Sequence, residues 1–78
     1  MNKQRRKALE CIVGKLEELK SEIESIQDEE QDAYDNIPDS LNDTERATTM
    51  YENIDSLGDI VSTLDDEVIG VIQEIIER

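Results

Sequence analysis

The sequence predicts an all-α protein, an antiparallel two-helix hairpin of coiled-coil type, and three observations carry that reading. Early in the chain Leu9, Ile12, Leu16, Leu19, Ile23 and Ile26 recur at alternating spacings of three and four. Later, Ala47, Met50, Ile54, Leu57, Val61, Leu64, Val68, Val71 and Ile75 keep the same rhythm. Between them lies Asp35-Asn36-Ile37-Pro38-Asp39-Ser40-Leu41-Asn42, which holds the single proline. Heptad stripes on both sides of one break specify two long helices folded back on each other. No set of residues specifies a chemistry, so the sequence informs shape, charge and type of partner.

The first helix is expected over 2–35. With Leu9, Leu16 and Ile23 at heptad position a, and Ile12, Leu19 and Ile26 at d, the b and f positions are Glu10, Glu17, Glu24, Lys7, Gly14, Ser21 and Asp28. That is a solvated outer face. Glu30 at the next a position is the one polar intrusion. The turn is expected over 36–41, because Pro38 disfavours helix at Ile37 and lacks a backbone donor. Asn42 and Glu45 have the spacing of a capping box, so the second helix is expected over 42–77, starting at Asn42 or Asp43. Gly58 and Gly70 each cost about 1 kcal/mol relative to Ala, and the long stripe should carry the helix through both. Folding about Pro38 would offset Tyr34 and Tyr51 by about 12 Å, so the two rings should pack separately.

The stripe widens at the end remote from the turn. Val13 joins Leu9 there, and Ile69, Ile72 and Ile76 join Val68. The apolar arc reaches about 160°, more than one partner helix covers. A chain of 78 residues with one cysteine and no histidine has no internal disulfide or common zinc site to reinforce a small core. The expectation is a homodimer, a four-helix bundle whose interface centres on Val13, Ile69, Ile72 and Ile76.

Charge narrows the function classes. There are 21 acidic and 8 basic residues, a net charge of −13. Four of the basic residues are Lys3, Arg5, Arg6 and Lys7; from Ala8 onward 21 acids face four cations, a net of −17. Such a body repels nucleic acid and anionic membranes and attracts a basic protein surface. No apolar run approaches the roughly 18 residues of a membrane span. The short run after Lys7 is interrupted by Glu10 and lacks a cleavage site, so it does not read as a signal peptide. With a lone thiol at Cys11, the expected location is the cytoplasm.

The candidate chemistries fall away on residue type. The run Asp28-Glu29-Glu30-Gln31-Asp32 lacks the central glycine and closing glutamate of a calcium loop. Glu17 and Glu24 share a helix face, but acid–base catalysis needs a desolvated pocket to separate two carboxylates, and no histidine can join them. The expectation is a non-enzyme with no catalytic, cofactor or metal residues. The Lys3–Lys7 cluster has no aromatic residues to stack on bases and reads as a tail partly paired with Glu74 and Glu77. Cys11 falls at position c, a semi-exposed thiol.

Glu29-Glu30-Gln31-Asp32-Ala33-Tyr34-Asp35-Asn36-Ile37-Pro38-Asp39-Ser40-Leu41, then Thr44-Glu45-Arg46, and the opening Asn2-Lys3-Gln4-Arg5-Arg6-Lys7, together resemble a group of short, acidic helical-hairpin proteins of Gram-positive bacteria and their phages. Members generally have no assigned activity. The resemblance therefore implies fold and a phage or mobile-element origin, and carries over no catalytic or ligand residue.

Three functions fit these properties. The first is a self-associating protein-interaction module that meets a basic host protein. The second is a mimic of nucleic acid, whose acidic faces occupy the groove of a host DNA- or RNA-binding protein. The third is a structural part of a larger assembly such as a phage particle.

Overall fold

The computed structural model describes residues 1–41 and 44–78, and every regular element among them is helical. Helix α1 spans Lys3–Asp35. Asn2 caps it, its side-chain oxygen accepting from the Arg5 amide at 2.9 Å. The basic cluster is therefore the first turns of α1 rather than a tail, and no ion pair joins it to Glu74 or Glu77 among the described residues. Lys3, Arg5 and Arg6 stand at the positive end of the helix dipole and Asp32 and Asp35 at the negative end, so charge opposes the dipole at both termini. Packing, not dipole complementarity, must hold this helix.

Helix α1 stops where proline chemistry demands. The Asn36 amide donates to Asp32 O at 3.1 Å and the Ile37 amide to Tyr34 O at 3.2 Å, after which Pro38 has no donor to continue the ladder. A single 3₁₀ turn follows at Asp39–Leu41. Helix α2 spans Glu45–Thr63, with Thr44 as its cap accepting from the Ala47 amide at 3.3 Å. The cap expected at Asn42 or Asp43 lies outside the described residues; the helix itself begins later than that expectation.

The two helical arms touch along a body of 60 × 16 × 12 Å, and their contacts run in opposite senses. Tyr34 meets Tyr51, Glu30 meets Asn53, Gln27 meets Ile54, and Lys20 meets Asp65. The tyrosines thus do not pack separately: their ring centroids are 6.2 Å apart, with the planes tilted by 52°. The 3₁₀ turn carries the fold point beyond Pro38, which brings Tyr51 level with Tyr34. The pair gains the energy of a tilted aromatic contact, about 0.5–1.5 kcal/mol.

The inward face of α1 differs from the expected one. Arg6, Leu9, Val13, Leu16, Lys20, Ile23, Gln27, Glu30 and Tyr34 are its buried or half-buried positions, a and e of the heptad. The d row is turned out: Ile12, Leu19 and Ile26 are 43%, 52% and 54% exposed. These three do not belong to the core of the single chain. Sequence periodicity cannot choose between a/d and a/e when e holds Val13, Lys20 and Gln27, because two of those look polar. Lys20 and Gln27 are admitted because each finds a polar partner on the opposite arm.

The second arm holds the feature that organises its far end. After Thr63 the helix widens into a π-helical stretch, Leu64–Ile69, and then resumes as α3, Gly70–Glu77. The Gly70 amide closes the wide turn on Asp65 O. A π turn inserts one extra residue into the helix. Up to Val68 the seam follows Ala47, Met50, Ile54, Leu57, Val61 and Leu64 as the heptad demands. Beyond it the seam moves on by one, to Ile69, Ile72 and Ile76, with Ile75 still half-buried at its edge. Ile69 is 2% exposed and Val71 is 43% exposed, the reverse of the unbroken stripe. The second apolar row, read from sequence as surface awaiting another helix, is rotated into contact with α1 of the same chain.

Candidate interaction surface

The residues expected to form a dimer interface are placed by that rotation. Val13 and Ile69 are buried within the single chain, and Ile72 and Ile76 are half-buried. The premise that they stay wet in a monomer is therefore overturned for Val13 and Ile69, because the extra residue of the π turn aims the row at α1. A shallow cleft remains beside them, lined by Glu10, Val13, Gln73, Ile76 and Glu77. A second cleft sits at the turn between Ala33, Asn36, Ile37, Pro38, Thr44 and Arg46. Neither gathers an acid, a base and a nucleophile.

The polar contacts of the seam are few and specific. Gln27 Nε2 donates to Ile54 O at 3.1 Å. Gly58 makes room for this: a Cβ there would stand 3.1 Å from Gln27 Nε2. Asn53 Nδ2 donates to Glu30 Oε2 at 3.0 Å, which satisfies the polar intrusion noted at heptad position a. Two opposing effects meet at Gly58, helix propensity worth about 1 kcal/mol and a hydrogen bond worth about 0.5–1.5 kcal/mol. Gly58→Ala is expected to be near neutral in the wild type and to stabilise by about 1 kcal/mol once Gln27→Ala has removed the obstacle. Gly14 meets nothing within 4 Å, so Gly14→Ala should stabilise outright by about 1 kcal/mol. Urea unfolding of these variants checks all three.

Lys20 Nζ donates to Asp65 Oδ1 at 3.0 Å, the one ion pair among the described residues. The Lys20 ammonium is held above its ordinary pKa by its hydrogen bond to Asp65, with burial acting the other way and the Asp65, Glu24 and Glu17 charges reinforcing the rise. A raised lysine pKa means that its contribution is complete below the unfolded value of 10.5 and is lost as pH climbs through the higher folded value. The Lys20→Met variant should thus lose its stability difference from wild type as melts are moved from pH 9 to above about pH 11. A difference that stays constant across that window would remove the pair from the account.

The remaining candidates stay apart. Cys11 is an exposed free thiol. Glu17 and Glu24 are both exposed. In the acidic run Asp28, Glu29 and Asp32 are exposed, while Gln31 bonds to Asp35 Oδ1 at 2.9 Å. Among the described residues no three His, Cys, Asp or Glu side chains converge to hold a metal ion. No helix there is long and apolar enough to cross a membrane.

No protein-family model, curated protein or solved structure matches this chain. The surface must be interpreted from its own residues. Its outstanding property is charge without internal partners: of the described carboxylates only Asp65 is in an ion pair, and only Glu30 is half-buried among them. The property missed by sequence reasoning is the outward d row of α1. The pattern of α1 does not signal it, because Lys20 and Gln27 at position e read as surface residues.

Proposed function

We propose that the chain is an antiparallel helical hairpin acting as an acidic, self-associating protein-interaction module of phage or mobile-element origin, working in the cytoplasm on a basic protein surface. The observation that carries this is the unneutralised acid along a 60 Å body. Carboxylates paired within a chain are unavailable to a partner, whereas these face solvent and focus a negative field along both arms. No catalytic role, cofactor or metal is assigned. The cross-arm contacts from Tyr34–Tyr51 to Lys20–Asp65 support the hairpin geometry.

The same acid rows support a second reading, a mimic of nucleic acid that occupies a host DNA- or RNA-binding protein. Exposed carboxylates on neighbouring helices offer a phosphate-binding groove a run of negative charge. Affinity capture from the native host at low salt, followed by a salt gradient, tests the first reading. It requires a partner with a basic surface that releases as salt rises. Captured proteins held without regard to salt would contradict it. Competition of the captured partner by duplex DNA or RNA then favours the mimic, and indifference to nucleic acid favours the general module.

A further inference from the structure

We propose that the face of α1 carrying Ile12, Leu19 and Ile26 is where a second copy of this chain docks, the two α1 helices lying antiparallel about a two-fold axis at Leu19. This rests on the self-association in the reading above and names its surface, which is not the Val13 end.

The three side chains stand seven residues apart, at 43%, 52% and 54% exposure. They form a straight apolar row about 21 Å long at 1.5 Å per residue. The other arm adds to the same side. Stepping about 100° per residue from each seam places Ile60 and Val71, 46% and 43% exposed, on the side of the row. The Asn53–Glu30 bond marks that side, and the Lys20–Asp65 pair marks the opposite one. Val71 is there because the π turn put Ile69 in the seam instead.

The arrangement is self-complementary. Ile12 and Ile26 lie seven residues either side of Leu19. The Lys20–Asp65 contact puts Leu19 level with Asp65, and Ile60 and Val71 lie five and six residues either side of Asp65. One axis across the body at that level therefore maps Ile12 onto Ile26 of the second copy and Ile60 onto its Val71. Such a patch is what an isologous interface requires. Charge agrees. Lys15 and Glu22 flank Leu19 along the outer edge of the row, both exposed and neither in an ion pair among the described residues. The axis brings each Lys15 against Glu22 of the other copy. With −13 on each chain, a docking that sets cation against carboxylate is the one least opposed by repulsion.

Sedimentation equilibrium of the full chain tests the surface. Leu19 meets its own copy on the axis, so Leu19→Glu puts two carboxylates together there and should weaken the dimer by at least about 100-fold. Leu19 is exposed in the single chain, so the helical circular-dichroism signal should persist in that variant. Lys15→Glu should weaken the dimer by about tenfold, and adding Glu22→Lys should restore it, which a merely unfolded variant could not do. A dimer that survives Leu19→Glu, or a charge exchange that fails to restore association, keeps self-association and discards this surface. A wild type that stays monomeric discards both.

Discussion

Replacing Ile69 with alanine is expected to cost about 2–5 kcal/mol, while Val71→Ala should cost less than about 1 kcal/mol. The two residues are one helical step from interchangeable in the sequence, and both truncations raise helix propensity, so the local helix term does not favour the expected order. What separates them is cover. Ile69 is 2% exposed against α1, and its truncation leaves a cavity that the opposite arm cannot fill without moving. Val71 is 43% exposed and loses little burial in the single chain. An uninterrupted heptad through Leu64 and Val68 would put Val71 in the seam and Ile69 outside it, and would reverse the order. Urea unfolding, at a protein concentration low enough to keep the chain monomeric, reads the difference directly.

The second large effect comes from deletion. The π stretch Leu64–Ile69 contains one residue more than an α-helix of the same rise. Deleting Asp66, an exposed residue inside it, should let the arm close into a continuous α-helix with Ile69, Ile72 and Ile76 still facing α1. Stability should stay within about 1 kcal/mol of wild type, the centre of the range for single changes. Deleting Asp59, an exposed residue in the middle of α2, should instead turn everything after it by about 100°. Val61 and Leu64, both half-buried, would then leave the seam together, a loss of about 2 kcal/mol or more in total. Equal damage from the two deletions would mean that the wide turn carries no phase information.

Much of this architecture was legible in the residues. Pro38 and the two apolar stripes foretold helical arms around one break, because proline and a period near 3.5 act locally and few alternatives satisfy both. The Tyr34–Tyr51 contact was not legible, since it depends on how many residues the turn consumes, and the 3₁₀ turn is set by geometry rather than by composition. The choice of seam on α1 was hidden for another reason. Lys20 and Gln27 look like surface residues, and only Asp65 and the Ile54 carbonyl across the gap make them acceptable inside. The doubled row Val68/Ile69, Val71/Ile72 and Ile75/Ile76 was visible, yet read as width rather than as a change of phase. Periodicity analysis assumes one pitch, and a single π turn breaks that assumption without any glycine or proline at its start. Of the candidate surface, the acid could be listed from sequence, but which apolar row faces outward required the fold.

The phase shift at Leu64–Ile69 decides which apolar row faces α1, and methyl-to-methyl nuclear Overhauser contacts test it most directly. With isoleucine, leucine and valine methyls labelled, Ile69, Ile72 and Ile76 should show cross-peaks to Leu9, Val13 and Leu16, and Val71 should show none to those three. Cross-peaks from Val71 to Val13 or Leu16, with Ile69 silent, would contradict it.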